Sequence, residues 1–164
     1  MSSKFNPNAK RHSTESLIKQ FGLQENVINV LRLCLASARK CAKEDNREID
    51  LDLPFLCQLW IDQQGLCAVS NVKMETNTGT HKYRNNLKAS IDRINSELGY
   101  TKNNVRFLCW QNNNGIGAGS DDEYFTMCAS VYFHQLKFQI QQLGITKVLA
   151  DNMRRIWTVS KTTA

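Results

Sequence analysis

A change of hydrophobic period along the chain constrains its fold more than any other feature. From Gln24 to about Asp45 the apolar residues Val27, Leu31, Cys34, Leu35, Ala38, Cys41 and Ala42 recur every three or four positions, which puts them on one stripe of a long helix. Between Gly65 and Gly117 the texture becomes short β-type segments punctuated by Asn and Gly. Leu87, Ala89 and Ile91 alternate with Ser90 and Asp92, and Val105, Phe107 and Cys109 alternate around Arg106, the two-residue period of strands with one packed face. On that pattern Asp92 and Arg106 point away from the apolar set, toward solvent. Helical spacing returns from Asp121 to about Leu143, an amphipathic stretch, and Leu149 to Trp157 add a last helical turn or two. A shorter helix is predicted from Leu53 to Gln64, with Pro54 in its first turn and Gly65 at its end. The fold class expected is α+β, a small hairpin core flanked by helices. One domain over 1–164 is expected, with a flexible N-terminus over 1–12, helical regions over 14–65 and 120–160, and the β-containing core over 66–119.

Charge narrows the partners. The 21 Lys and Arg exceed the 15 Asp and Glu, and a formal charge of +6 favours polyanions. No apolar run approaches the roughly 18 residues of a membrane span, and the polar stretch Met1 to His12 lacks the hydrophobic core of a secretory signal. A cytoplasmic protein with no membrane partner is expected, its six cysteines reduced and mostly buried. On the long helix Arg32, Arg39, Lys43 and Arg47 lie seven, four and four apart, a stripe that either tracks a phosphate backbone or simply faces water. Lys73, Lys82, Arg84, Lys88, Arg93, Lys102 and Arg106 outnumber the acidic residues of the central segment. DNA is the partner expected, with Arg39, Lys43, Arg47, Lys88, Lys102 and Arg106 as candidate contacts. Oligomeric state is left open.

The central segment carries the chemistry. Its ordered elements are Gly65-Leu66-Cys67, Ser90-Ile91-Asp92-Arg93-Ile94, Gly99-Tyr100 followed by Asn104-Val105, and Cys109 followed by Asn112 and Asn113. This order resembles the HNH, or His-Me finger, endonucleases, particularly variants common in bacteriophages, over about a third of the chain. The resemblance implies a ββα-metal fold and a metal-dependent DNA endonuclease that hydrolyses phosphodiester bonds with Mg2+, Mn2+ or another divalent cation. Hydrolysis of a phosphodiester needs a hard cation to neutralise charge on the phosphoryl and leaving oxygens, and oxygen ligands suit such a cation. The resemblance carries Asp92 over as the metal carboxylate and Asn113, 21 residues later, as the ligand from the helix. It carries Asn104 over as the residue that orients the catalytic group.

Three departures qualify the match. Relatives often hold zinc with two Cys-x-x-Cys pairs, whereas Cys67 is followed by Ser70 and Cys109 by Asn112. Two thiolates do not close a tetrahedral site, so Cys67 and Cys109 are expected to pack together without structural zinc, Cys57 being the remaining thiol that could add a ligand. The helix after Cys109 reads Asn113-Asn114-Gly115-Ile116-Gly117, and its glycines predict a short or distorted turn, with Asn112 and Asn114 as alternatives to Asn113. Arg93 stands where the motif has its histidine base, and a guanidinium cannot accept a proton. Arg93 is then expected to grip the scissile phosphate. Water is activated by His81, 11 residues before Asp92, or by the metal alone; the alternative is a DNA-binding module that has lost catalysis. His12 falls in the flexible terminus and His134 in the second long helix. A helical interaction protein with an accidental motif is the third reading.

Overall fold

The computed structural model describes residues 12–76 and 85–162. In order these residues form α1 (Thr14–Phe21), α2 (Glu25–Glu44), α3 (Leu53–Asp62), β1 (Ala89–Arg93), β2 (Val105–Cys109), α4 (Trp110–Ile116), α5 (Asp121–Leu143) and α6 (Ile145–Thr162). The fold is α+β. The chain divides into two compact units, Met1–Asn114 and Gly115–Ala164.

In the first unit the helical starts and stops follow local chemistry. The Ser13 hydroxyl accepts from the Ser16 N–H to begin α1, and Gly22, with φ of 67°, ends it. Asp52 caps α3 by accepting from the Phe55 N–H. Eight residues of α2 are buried, Val27, Ile28, Val30, Leu31, Cys34, Leu35, Ala38 and Ala42, along the stripe that periodicity marks. They meet Leu17 of α1, Leu56 and Cys57 of α3, and the hairpin residues Ala89, Phe107 and Leu108 in one core. Phe107, fully buried, receives the Trp60 ring edge-on at a centroid distance of 5.6 Å.

The strands β1 and β2 pair antiparallel, with Ala89 opposite Cys109, Ile91 opposite Phe107, Asp92 opposite Arg106 and Arg93 opposite Val105. The free edge of β2 is covered by a side chain. Gln63, at the end of α3, accepts from the Phe107 N–H at 2.8 Å and donates to the Phe107 carbonyl at 3.0 Å, imitating one residue of a neighbouring strand. The Ala68 N–H donates to the same carbonyl.

The second unit holds α5 and α6. A capping box of Ser120 and Glu123 starts α5, whose bounds match the predicted stretch, but none of its 23 residues is buried. Helix α6 runs for 18 residues, well beyond the turn or two read from the sequence. Among the described residues no helix is long and apolar enough to cross a membrane.

Candidate functional site

Cross-strand register builds the first part of the site. Asp92 and Arg106 face each other, and the Arg106 Nε donates to the Asp92 Oδ2 at 2.8 Å. Asp92 is only 6% exposed and the Arg106 side chain 14%, which corrects the expectation that Asp92 occupies a solvent-facing position. Alternation correctly separates Asp92 from Ala89 and Ile91, but the opposite face is covered as well. A carboxylate on a covered face needs an ionic or hydrogen-bonding partner, and the register supplies one. Arg106 is therefore bound into the hairpin and not held out as a free phosphate contact.

The loop between the strands is organised by Asn104, which is 5% exposed. Its Oδ1 accepts from the Asn95 N–H, and its Nδ2 donates to the carbonyls of Asn95 and Gly99, all at 2.9–3.0 Å. Gly99 is required here, because a Cβ would lie 2.3 Å from the Glu48 carbonyl oxygen. From outside the loop, Arg47 Nη1 donates to the carbonyls of Ser96, Glu97 and Leu98. The sequence places Arg47 on a DNA-facing stripe; α2 instead ends at Glu44, and Asn46, with φ of 51°, turns Arg47 onto the loop. Arg93 donates to the Leu98 carbonyl at 3.2 Å and lies 5.1 Å from the Tyr100 ring centroid, so its guanidinium is also engaged with the loop.

Helix α4 brings two asparagines to two different places. Asn113 donates through Nδ2 to the Ser90 hydroxyl and the Ile91 carbonyl of β1, each at 3.0 Å. Asn112 donates to the Ser70 hydroxyl at 2.8 Å and to the Cys67 sulfur at 3.2 Å. Asn114 is exposed, leaving Asn113 as the asparagine that addresses the strand carrying Asp92. The helix is only seven residues long, in keeping with its glycines.

Cys67, Ser70, Cys109 and Asn112 converge as two facing knuckles, and the two buried thiols meet as expected. Burial pushes the Cys67 thiol upward, but the Ser70 hydroxyl and the backbone N–H groups of Cys109, Val69 and Ser70 outweigh it and bring the group from 9.0 to about 7. Burial raises Cys109. Cys57 lies buried in α3, where desolvation raises it to about 11. The matching three-residue spacings of Cys67 to Ser70 and Cys109 to Asn112 were the signal that these polar residues meet. Nothing comparable in the sequence marks Gln63, a single glutamine at a helix end.

No family model, curated protein or solved structure matches this chain.

The remaining candidates are dispersed. Arg39 and Lys43 are exposed on α2, whereas Arg32 donates to the His12 carbonyl and the Thr14 hydroxyl. That bond holds the backbone of a residue the sequence assigns to the flexible terminus. Lys102 pairs with Asp52 at 2.7 Å, and Lys88 is half-buried beside β1. His81 lies outside the described residues, and His134 is exposed on α5. Among the described residues no three His, Cys, Asp or Glu side chains gather as a metal site. Asp92 and Asn113 nevertheless fit a hard cation by donor chemistry. Asn113 directs its N–H groups to β1 and keeps its carbonyl oxygen as the remaining acceptor, and Asp92 supplies an anionic oxygen shared with Arg106.

Proposed function

We propose that the chain is a metal-dependent DNA endonuclease acting through β1, β2 and α4 as an HNH-like unit. The observation that carries this reading is the Asn113 contact with Ser90 and Ile91, which joins the short helix to the strand bearing Asp92. Asp92 and Asn113 would hold Mg2+ or Mn2+, and a bound cation would neutralise charge on the phosphoryl and leaving oxygens. Asn104 keeps the hairpin loop in one shape through three hydrogen bonds, and Arg47 fastens that loop from outside. Arg93 contributes positive charge next to Asp92 in sequence, and cannot itself accept a proton from water. Residues 1–114 hold 16 Lys and Arg against 11 Asp and Glu, so the unit that contains the hairpin carries nearly all of the chain's surplus positive charge.

The Asp92–Arg106 ion pair favours a second reading, a DNA-binding module without catalysis, because the guanidinium occupies a carboxylate oxygen that a cation would use. Incubation of supercoiled plasmid with the protein separates the two. Nicking with Mg2+ or Mn2+ that is abolished by EDTA and by Asp92→Asn supports the endonuclease. Salt-dependent DNA binding with no cleavage under any divalent cation rejects it in favour of the binding module, and cleavage at full rate by Asp92→Asn removes Asp92 from the site.

A further inference from the structure

Helix α5 carries two apolar seams. Along one, Tyr124, Met127, Val131, His134 and Phe138 follow with spacings of three, four, three and four residues, the rhythm of a helix that packs lengthwise on another helix. The opposite side carries Phe125, Tyr132, Leu136 and Leu143. Helices α5 and α6 touch, and Leu136 and Ile140, on the side of the second seam, are half-buried. The first seam is the more open of the two: Met127 is 64% exposed, Val131 62% and Phe138 53%, against 44% for Phe125, 51% for Tyr132 and 48% for Leu143 on the second. A single residue, Gly144, joins the two helices, whereas helices that fold back side by side need connections of roughly two to five residues. A helix apolar on more than one side requires cover on more than one side.

We infer that the Tyr124–Phe138 seam is a dimer interface, occupied by the same seam of a second copy running antiparallel about Val131. Charge selects this occupant. Helix α5 has three acidic residues, Asp121, Asp122 and Glu123, all in its first turn, and one cation other than histidine, Lys137, fourteen residues after Glu123. A parallel pair stacks acidic turn on acidic turn. An antiparallel pair centred on Val131 brings the acidic turn of one copy near Lys137 of the other and sets Tyr124 against Phe138, an isologous contact in which each copy presents the same patch. DNA is disfavoured because one lysine cannot track a phosphate backbone, and a lipid surface because interfacial helices carry a strongly cationic polar face. Residues 115–164 hold 5 Lys and Arg against 4 Asp and Glu, so this part of each copy adds only +1 of the chain's +6 to the repulsion between two copies.

Sedimentation of the full chain in reducing buffer, from 1 to about 100 μM, tests the assignment. A mass of twice 18.8 kDa is expected for wild type. Val131→Glu should raise the dissociation constant at least 100-fold without changing the far-ultraviolet circular dichroism, since the side chain is exposed within one chain. In a Cys128→Ser background, oxidation should cross-link Val131→Cys, which lies on the two-fold axis, faster than Phe125→Cys on the other seam. A monomer at every concentration, an unaltered dimer in Val131→Glu, faster cross-linking at Phe125→Cys, or wild-type flotation with neutral or anionic lipid vesicles that Val131→Glu loses would each overturn it.

Discussion

Helices α2 and α5 have similar lengths, 20 and 23 residues, and opposite situations. In α2 the apolar residues other than Leu33 fall on one stripe and eight of them are buried; in α5 they fall on two sides and none is. Local signals do not account for the contrast, because α5 has the better start: a capping box, against a Gln24 that makes no capping bond. A helix with one stripe can be satisfied by one core, whereas a helix with two seams keeps surface for something else. Folding stability in this protein is thus concentrated in residues 1–114, and α5 carries apolar surface for association.

The largest test of that contrast is truncation. Leu31→Ala in α2 removes a fully buried side chain and should lower the unfolding free energy by about 3 kcal/mol in urea titrations. Val131→Ala in α5 should cost under about 0.5 kcal/mol at concentrations where the chain is monomeric. Equal costs would mean that α5 is covered within one chain as fully as α2, and the distinction between the two helices would fail.

The hairpin's ion pair contrasts with one on the exposed face of α2. Asp92→Ala leaves Arg106 without its carboxylate in a covered position and should cost about 3 kcal/mol, whereas Asp92→Ala with Arg106→Leu should recover much of that loss. Lys40 and Glu44 lie 3.8 Å apart with both side chains well exposed, and Glu44→Ala should change stability by less than about 0.5 kcal/mol. A small cost for Asp92→Ala would show that the pair opens readily, and would free Asp92 for a cation. Activity assays therefore need Asp92→Asn, which separates loss of a ligand from loss of the fold.

Elements whose residues answer to their sequence neighbours were readable in advance: the bounds of α2 and α5, the alternation in β1 and β2, and the short α4. The burial of Asp92 was not, because alternation names two faces and leaves open whether one or both are covered. Arg47 misled for a related reason. Its place four residues after Lys43 suggests a common helix face, but the helix stops three residues earlier, at Glu44, and a left-handed Asn46 sends the side chain to the 96–98 carbonyls. The sequence shows only the end of α6, because polar residues hide the start of its repeat, and the 14–65 helical region does not separate α1 even though Ser13 and Gly22 bracket it.

The smallest effects come from the thiols, which draw the same line between covered and open surface. Cys34 of α2 donates to the Ala89 carbonyl, and burial raises it to about 11; Cys128 of α5 is exposed and should be alkylated first in the native protein. Cys67 runs the other way, held at about 7 against an ordinary 9.0. Between pH 7 and 9 the unfolded chain binds more protons at Cys67 than the folded one, so folding stability should rise with pH, by about 1 kcal/mol from pH 7 to 8. Above 9 the sign reverses: Cys34 and Cys57 stay protonated in the fold while the unfolded thiols ionise, and stability should fall as pH climbs toward 11. Urea midpoints measured from pH 6 to 10 in reducing buffer should therefore peak near 9. Cys67→Ser should erase the rise and keep the fall. A rise that survives in Cys67→Ser would assign it to another group and remove the thiolate from the two facing knuckles.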